Sequence, residues 1–191
     1  MGHVFVDFEW EEVCLGFCRA FDMSTEEFKP LLKHIGSLGY ETGKIDTSTL
    51  LQEVHKLTSI QMEEERFHSL WNHTFRENDM MTGFLTALKS QYPLFLLSNT
   101  NESHWNFLES NFQVSRHFQD LVLSFEVGMM KPQAEIYLHA VEKTGESAEN
   151  CVFIDDLAIN IEAAEKIGLR TIHFQSAEDM VMKLREMGVA I

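Results

Sequence analysis

Basic residues are scarce in this chain. Fifteen Lys and Arg stand against 30 Asp and Glu, giving a net charge of −15. That imbalance excludes the basic patch on which nucleic-acid binding rests. No run approaches the ~20 consecutive apolar residues of a membrane-spanning helix, so no membrane partner is expected. No basic stretch leads into an apolar one at the N-terminus, which argues against a secretory signal. Val6 stands where a myristoylation signal after Met1-Gly2 carries Ser or Thr. The three cysteines, Cys14, Cys18 and Cys151, form no paired framework, which suits a reducing, cytoplasmic location. Cys14 and Cys18, four apart on a predicted helix, read as small core residues rather than a metal pair lacking further ligands. The nine histidines follow no metal-site spacing, and no internal repeat or low-complexity segment is evident.

What is present is enough apolar material for a real core: 45% of the 191 residues are hydrophobic, which fits one core domain with a modest insertion. Three spans are expected: residues 1–9 as the end of a first core motif, 10–80 as a helical insertion, and 81–191 as an α/β core. Within the insertion, Cys14, Phe17 and Phe21 share one helix face, and Leu50, Leu51, Val54 and Leu57 share another. Ser24-Thr25-Glu26-Glu27 is a capping box, and Thr47 or Ser48 opens a further helix. Phe67, Leu70, Trp71 and Phe75 make a bulky stripe that reads as packing between helices.

From Tyr92 onward the pattern changes to alternating strand and helix. Strands are predicted at 93–98, 121–124, 151–155 and 170–174, and helices at 102–112, 133–144, 159–167 and 177–187. Gly145, Gly168 and Gly188 each sit just past a helix, where a left-handed cap favours glycine. This alternation predicts a doubly wound, Rossmann-like parallel sheet with right-handed crossovers.

Three segments of this half carry chemistry. Leu94-Phe95-Leu96-Leu97 stops on Ser98-Asn99-Thr100, and Cys151-Val152-Phe153-Ile154 stops on Asp155-Asp156. Short apolar runs of this kind read as strands buried on both faces. Their polar residues then fall at the C-terminal strand ends, where open α/β sheets bind ligands. The Ser98 hydroxyl and the backbone N–H groups of Asn99 and Thr100 suit a phosphate oxygen. Between these segments lies Gly128-Met129-Met130-Lys131-Pro132. Lys131 precedes a helix, where its charge opposes the dipole and calls for a phosphate or a carboxylate pair to compensate. Adjacent Asp155 and Asp156 repel one another, which a hard cation such as Mg2+ relieves. Asn160 can cap the following helix or orient a water. A hydroxyl, a lysine and a carboxylate pair at strand ends suit metal-assisted phosphoryl transfer.

These segments together resemble the haloacid dehalogenase (HAD) superfamily of hydrolases, mostly Mg2+-dependent phosphatases. The matching stretches are Ser98-Asn99-Thr100-Asn101 (motif II), then Gly128-Met129 with Lys131-Pro132 and Ile136-Tyr137 (motif III), then Phe153-Ile154-Asp155-Asp156 with Asn160-Ile161-Glu162-Ala163-Ala164 and Gly168 (motif IV). The resemblance is firm over residues 80–175. More loosely, residues 10–80 resemble the small helical cap of the subfamily that contains bacterial glucose-1-phosphate phosphatase and the haloacid dehalogenases. The resemblance implies a small phosphate monoester, such as a sugar phosphate, as substrate. By the same resemblance Ser98 and Asn99 bind the phosphoryl group, Lys131 bridges its oxygens, Asp156 ligates Mg2+ and Asp155 assists through a water or a neighbouring contact.

The resemblance also implies an aspartyl-phosphate formed on an aspartate that closes the first strand. Two placements compete. In one, Val4-Phe5-Val6 is that strand, Asp7 is the nucleophile and Glu9 its acid/base partner. In the other, Gly2 to Trp10 matches the segment just beyond the nucleophile, which would immediately precede Met1, with His3 near the leaving group and Asp7 structural. The absence of small turn residues after Glu9 favours the second. On it, the first core strand is missing and the sheet has two unpaired edges. A carbon–halogen hydrolase, or an inactive binding domain of the same fold, are the alternatives. The acidic pair speaks against the first of these.

Overall fold

The structure is a computed structural model that describes Gly2 and residues 4–191. Met1 and His3, and with them the role expected for His3, lie outside the described residues.

The chain opens with a two-residue strand, β1 (Val6–Asp7), followed by four helices: α1 (Trp10–Phe21), α2 (Thr25–Ser37), α3 (Thr47–Thr58) and α4 (Glu64–Asn72). Their apolar faces converge on one core of their own, in which Phe17, Phe21, Phe28, Leu50, Val54, Phe67 and Trp71 are buried. The Phe17 ring lies within 6 Å of the rings of Phe21, Phe28, Phe67 and Trp71. Burying each such side chain contributes about 1.5–3 kcal/mol. Cys18 is buried and Cys14 half-buried against this core, as small apolar residues. The capping box forms as expected: Ser24 Oγ accepts from the Glu27 amide, and Glu27 accepts from the Ser24 amide at 2.8 Å.

A second short strand, β2 (Arg76–Glu77), returns the chain and pairs antiparallel with β1, Val6 opposite Glu77 and Asp7 opposite Arg76. The rest alternates: α5 (Asp79–Lys89), β3 (Phe95–Ser98), α6 (Glu102–Phe112), β4 (Asp120–Leu123), α7 (Ser124–Val127), α8 (Ala134–Thr144), β5 (Val152–Asp155), α9 (Ala158–Lys166), β6 (Arg170–His173) and α10 (Ala177–Glu186). The predicted strands and helices of this half are all present, with ends shifted by one or two residues, and α7 is an addition. Gly145, Gly168 and Gly188 have φ of 72°, 90° and 85°, as helix-ending glycines require.

β3 and β4 are parallel, with Ser98 opposite Leu123, and β5 and β6 are parallel, with Asp155 opposite His173. Helices cover both faces. One apolar cluster joins Leu96, Leu123, Val152, Ile154 and Ile172 to α5, α6 and α10. The other joins Leu97, Val122 and Phe153 to α8 and α9. The two parallel pairs therefore lie in one layer. Among the described residues no strand joins β3 to β5. Among the described residues, no helix is long and apolar enough to cross a membrane.

The expectation that Val4-Phe5-Val6 forms a strand of the parallel layer differs from what is found. Phe5 turns inward against His117 and Phe118, and only Val6–Asp7 is extended, paired with the strand that leaves the helical segment.

Candidate active site

The C-terminal ends of β3 and β5 bring Ser98, Lys131 and Asp155 together. Ser98 is 2% exposed, Lys131 5% and Asp155 3%. A lysine so buried needs a partner. The Lys131 ammonium donates to Asp155 Oδ2 at 2.6 Å and to the Leu97 carbonyl at 3.3 Å, and it lies 5.5 Å from the centre of the Phe153 ring. The compensation that the helix dipole demands thus comes from one buried carboxylate.

The Lys131 backbone is fixed as well. Its amide donates to Asn99 Oδ1 at 2.8 Å, and its carbonyl accepts from Asn99 Nδ2 at 2.9 Å. The Asn99 side chain is engaged in this reciprocal pair and so positions Lys131. The peptide between Lys131 and Pro132 is cis.

Asp155 has both oxygens occupied. Oδ1 accepts from the Leu157 amide at 3.0 Å and from Asn160 Nδ2 at 2.8 Å. Burial pushes its carboxyl up, but the Lys131 ammonium and the hydrogen bonds from Lys131, Asn160 and Leu157 outweigh this and hold it below the ordinary value. Asn160 is itself held by Tyr137, whose hydroxyl donates to the Asn160 carbonyl at 3.0 Å. Burial and the nearby Asp155 charge push the Tyr137 hydroxyl well up, so it stays a donor.

Asp156 is different. It is half-buried, its backbone carbonyl meets His173 Nε2 at 2.9 Å, and its carboxylate takes part in no hydrogen bond or ion pair among the described residues. Ser98 Oγ makes only a long bond, 3.3 Å, to the Asn99 carbonyl. The free groups at this corner are therefore a hydroxyl, the third N–H of an ammonium and one carboxylate. Among the described residues no three His, Cys, Asp or Glu side chains cluster as a ready-made metal cage. One free carboxylate with a second beside it still fits Mg2+, which takes one or two carboxylates plus water and phosphate oxygens.

Asp7 is not part of this cluster. It is exposed, and its carboxylate accepts from Asn78 Nδ2 at 3.4 Å beside the β1–β2 ribbon. Glu9 is likewise exposed, just before α1. No hydrogen bond or ion pair links either to Ser98, Lys131, Asp155 or Asp156 among the described residues.

The Thr100 amide, expected to face a ligand, instead donates to Ser124 Oγ at 2.9 Å. Sequence reasoning passed over Ser124. It follows β4 directly, an apolar run ending on a hydroxyl much as the β3 run ends on Ser98, and that pattern was available to find it. Ser124 is fully buried, and its hydroxyl lies 2.6 Å from the Glu41 carbonyl and 2.9 Å from the Thr100 carbonyl. It thereby seats the loop of the helical segment beside the β3 strand end. Gly43 completes the seat: with φ of 66°, it approaches so closely that a Cβ would stand 2.1 Å from the Phe125 carbonyl oxygen.

A second junction was also missed. Ser103 Oγ, at the start of α6, is 2.6 Å from His68 Nδ1 and accepts from Asn72 Nδ2 at 3.0 Å, both on α4. Next to it His104 stacks on Trp71, ring centres 5.1 Å apart, and burial depresses its imidazole to about 3.

Parallel strands ending in this hydroxyl, lysine and carboxylate pair place the chain in a known group. A family model for haloacid dehalogenase-like hydrolases matches residues 16–168, and the chain belongs to that family. Among solved structures, the HAD family enzyme bt-2542 of Bacteroides thetaiotaomicron superposes with a TM-score of 0.87 and 26% identity, over 97% of this chain and 95% of that one. A complex of that enzyme with magnesium and inorganic phosphate gives 0.85 and 27%, over 97% and 96%. The D-ribitol-5-phosphate phosphatase of the same bacterium is 24% identical over 151 residues, 75% of this chain and 73% of the relative. Flavin mononucleotide hydrolase 1 of Arabidopsis thaliana is 30% identical over 93 residues, 48% of this chain but only 38% of that relative's length.

Proposed function

We propose that the chain is a Mg2+-dependent phosphatase unit for a small phosphate monoester, such as a sugar phosphate. The observation that carries this reading is the buried Lys131 ammonium, pinned by Asp155 with one N–H to spare, beside Ser98 and the uncommitted Asp156. The chain carries a net charge of −15, so a phosphate needs a local positive group, and Lys131 supplies it. Ser98 and Lys131 would hold phosphoryl oxygens, Asn99 would keep Lys131 in place, and Asp155 would hold the ammonium charged. Asp156, with Asp155 behind it, would hold Mg2+, which when bound offsets charge between carboxylates and phosphate. Helices α1–α4 would act as a cap over the strand ends and limit water there. The magnesium–phosphate complex of bt-2542 and the relative named for ribitol 5-phosphate support this substrate class.

The family resemblance routes such a reaction through an aspartyl-phosphate. The position of Asp7, apart from the cluster, favours a second reading: a domain that binds phosphate esters without turning them over.

Phosphate release from p-nitrophenyl phosphate separates the two. Under the first reading, release requires Mg2+, stops with EDTA, and falls about 100-fold or more in Ser98→Ala and Asp156→Asn, the loss typical of one transition-state contact. Release that survives both EDTA and Asp156→Asn would sink the proposal. Binding of inorganic phosphate that Ser98→Ala abolishes, with no turnover, establishes the second reading instead.

A further inference from the structure

Both peptide units that flank Asp156 are bonded to the β6 strand end. The Asp155 carbonyl accepts from the Phe174 amide at 2.8 Å. The Asp156 carbonyl lies 2.9 Å from His173 Nε2. A carbonyl cannot donate, so this contact is a hydrogen bond in which the ring nitrogen is the donor. Gln175 Nε2 lies 3.2 Å from the same ring nitrogen, and the Gln175 amide has its own bond to the Phe174 carbonyl at 3.1 Å. The peptide unit that carries the Asp156 carbonyl also carries the Leu157 amide, which donates to Asp155 Oδ1 at 3.0 Å. That unit is therefore held on both sides, by His173 and by Asp155.

These bonds set a direction. Peptide units are planar, so fixing the unit on either side of a residue fixes its φ and ψ. At Asp156 this settles the line along which the side chain leaves the backbone, while the carboxylate itself stays uncommitted. Of the three bonds, two come from the β5–β6 ladder and from Asp155. The third, from the His173 ring, is a side-chain contribution that substitution can remove.

Strand alternation brings the imidazole to this turn. Ile172 is 1% exposed and belongs to the cluster beneath α5, α6 and α10. Thr171 and His173 therefore face the opposite side of the layer. Thr171 Oγ1 confirms that face by donating to Glu165 Oε1 on α9 at 2.8 Å. The turn at Asp156 leads directly into α9, so a ring on this face, in register with Asp155, meets the Asp156 carbonyl. The strand end is tied down from α10: Lys183 Nζ donates to the His173 carbonyl at 3.4 Å and to Asp179 Oδ2 at 2.6 Å.

We infer that His173 is a positioning residue for the cation site: its Nε2–H holds the Asp156 peptide so that the free carboxylate is presented to Mg2+. This rests on the reading of Asp156 as the Mg2+ carboxylate. His173 acts through Asp156 and is not itself offered as a ligand, since Nε2 is spent on the carbonyl.

The test is Mg2+ binding by calorimetry on the intact chain, with Asp156→Asn as the reference for loss of the site. His173→Phe keeps a ring and removes the donor, and His173→Gln returns an N–H near the place of Nε2. Should the phenylalanine ring not be accommodated in the fold, His173→Leu removes the donor with a smaller side chain. The donor-free variant should weaken Mg2+ about tenfold and the glutamine variant no more than about twofold, as outer partners of metal ligands do. Without metal, the Leu157 amide should exchange about tenfold faster in the donor-free variant and return towards the parent rate in His173→Gln. Equal weakening in the donor-free and glutamine variants would mean that the ring only fills space, and overturns the inference. Unchanged Mg2+ affinity without the donor, where Asp156→Asn abolishes binding, overturns it alone and leaves the site reading intact. Mg2+ binding that is absent from the parent, or indifferent to Asp156→Asn, overturns both.

Discussion

Replacing Lys131 by Met is the sharpest probe of the strand-end cluster. It keeps the length and apolar stem of the side chain and deletes only the charge. The ammonium and the Asp155 carboxylate are 2.6 Å apart, with side chains 5% and 3% exposed. Removing one member of such a buried pair costs about 3–5 kcal/mol, since the other charge is left without compensation. Asp155 keeps the Leu157 amide and Asn160 as donors, which points to the lower end, roughly 3 kcal/mol, or about 150-fold in the folding equilibrium. Asp155→Asn added to Lys131→Met should recover roughly 1–2 kcal/mol, because the orphaned charge is gone.

The pH dependence provides an independent sign. In the parent chain the Asp155 carboxyl is held low, so its contribution is present above the unfolded-state value near 4 and is lost as pH falls through the folded value. In Lys131→Met, burial is opposed only by two hydrogen bonds and the carboxyl rises. A raised carboxyl favours folding at low pH and loses that advantage as pH rises. The gap between parent and variant should therefore narrow from pH 7 to pH 4.5. Urea unfolding at both pH values measures it. A loss under about 1 kcal/mol at pH 7, the range of a surface ion pair, or a gap that stays constant with pH, would refute the buried pair.

Three further outcomes follow from other parts of the structure. Gly43→Ala should cost about 2 kcal/mol or more in thermal or urea unfolding, from a Cβ 2.1 Å from the Phe125 oxygen and a φ of 66°; a change below about 0.5 kcal/mol would mean the loop is not seated there. His104 is neutral and depressed to about 3, so the unfolded chain binds its proton first as pH falls below about 6.5, and stability should drop by about 2 kcal/mol between pH 6.5 and 5. His104→Phe should flatten that slope, and an unchanged slope would move its origin elsewhere. Ser24→Ala removes the cap of α2 and should cost about 1 kcal/mol, with no change in phosphate binding by calorimetry.

The α/β half was legible because its signals are local. Leu94 to Leu97 and Cys151 to Ile154 are unbroken apolar runs, and each strand ends on the polar residue that follows its run. The bounds of α6 match the expectation because Asn101 caps one end, its side chain accepting from the His104 amide. What escaped depends on distant partners. A two-residue strand such as β1 has no periodicity to read, and its pairing with Arg76–Glu77 exists only after the helical segment has folded back. Ser124 ends a run like the others, but its meaning lies in the Glu41 carbonyl, 83 positions away in sequence. His104 looks like a surface residue until α4 lays Trp71 over it.

The candidate site shows the same division at finer scale. The residue types at the strand ends underlie the proposed phosphate corner, yet they do not divide the work between Asp155 and Asp156. Geometry does: both oxygens of Asp155 already accept from Lys131, Leu157 and Asn160, whereas the Asp156 carboxylate makes no hydrogen bond among the described residues. The same logic separates Asn99 from Ser98. Both are polar at one strand end, but the amide is spent on the Lys131 backbone and the hydroxyl is held by a single 3.3 Å bond. A group that is already satisfied positions its neighbours, and a group left nearly free meets the ligand. By that criterion Ser98, Lys131 and Asp156 are the residues on which substitutions should change phosphate binding. Asn99, Asp155 and Asn160 are those on which substitutions should first change the folding equilibrium, and the charge state of Lys131 with it.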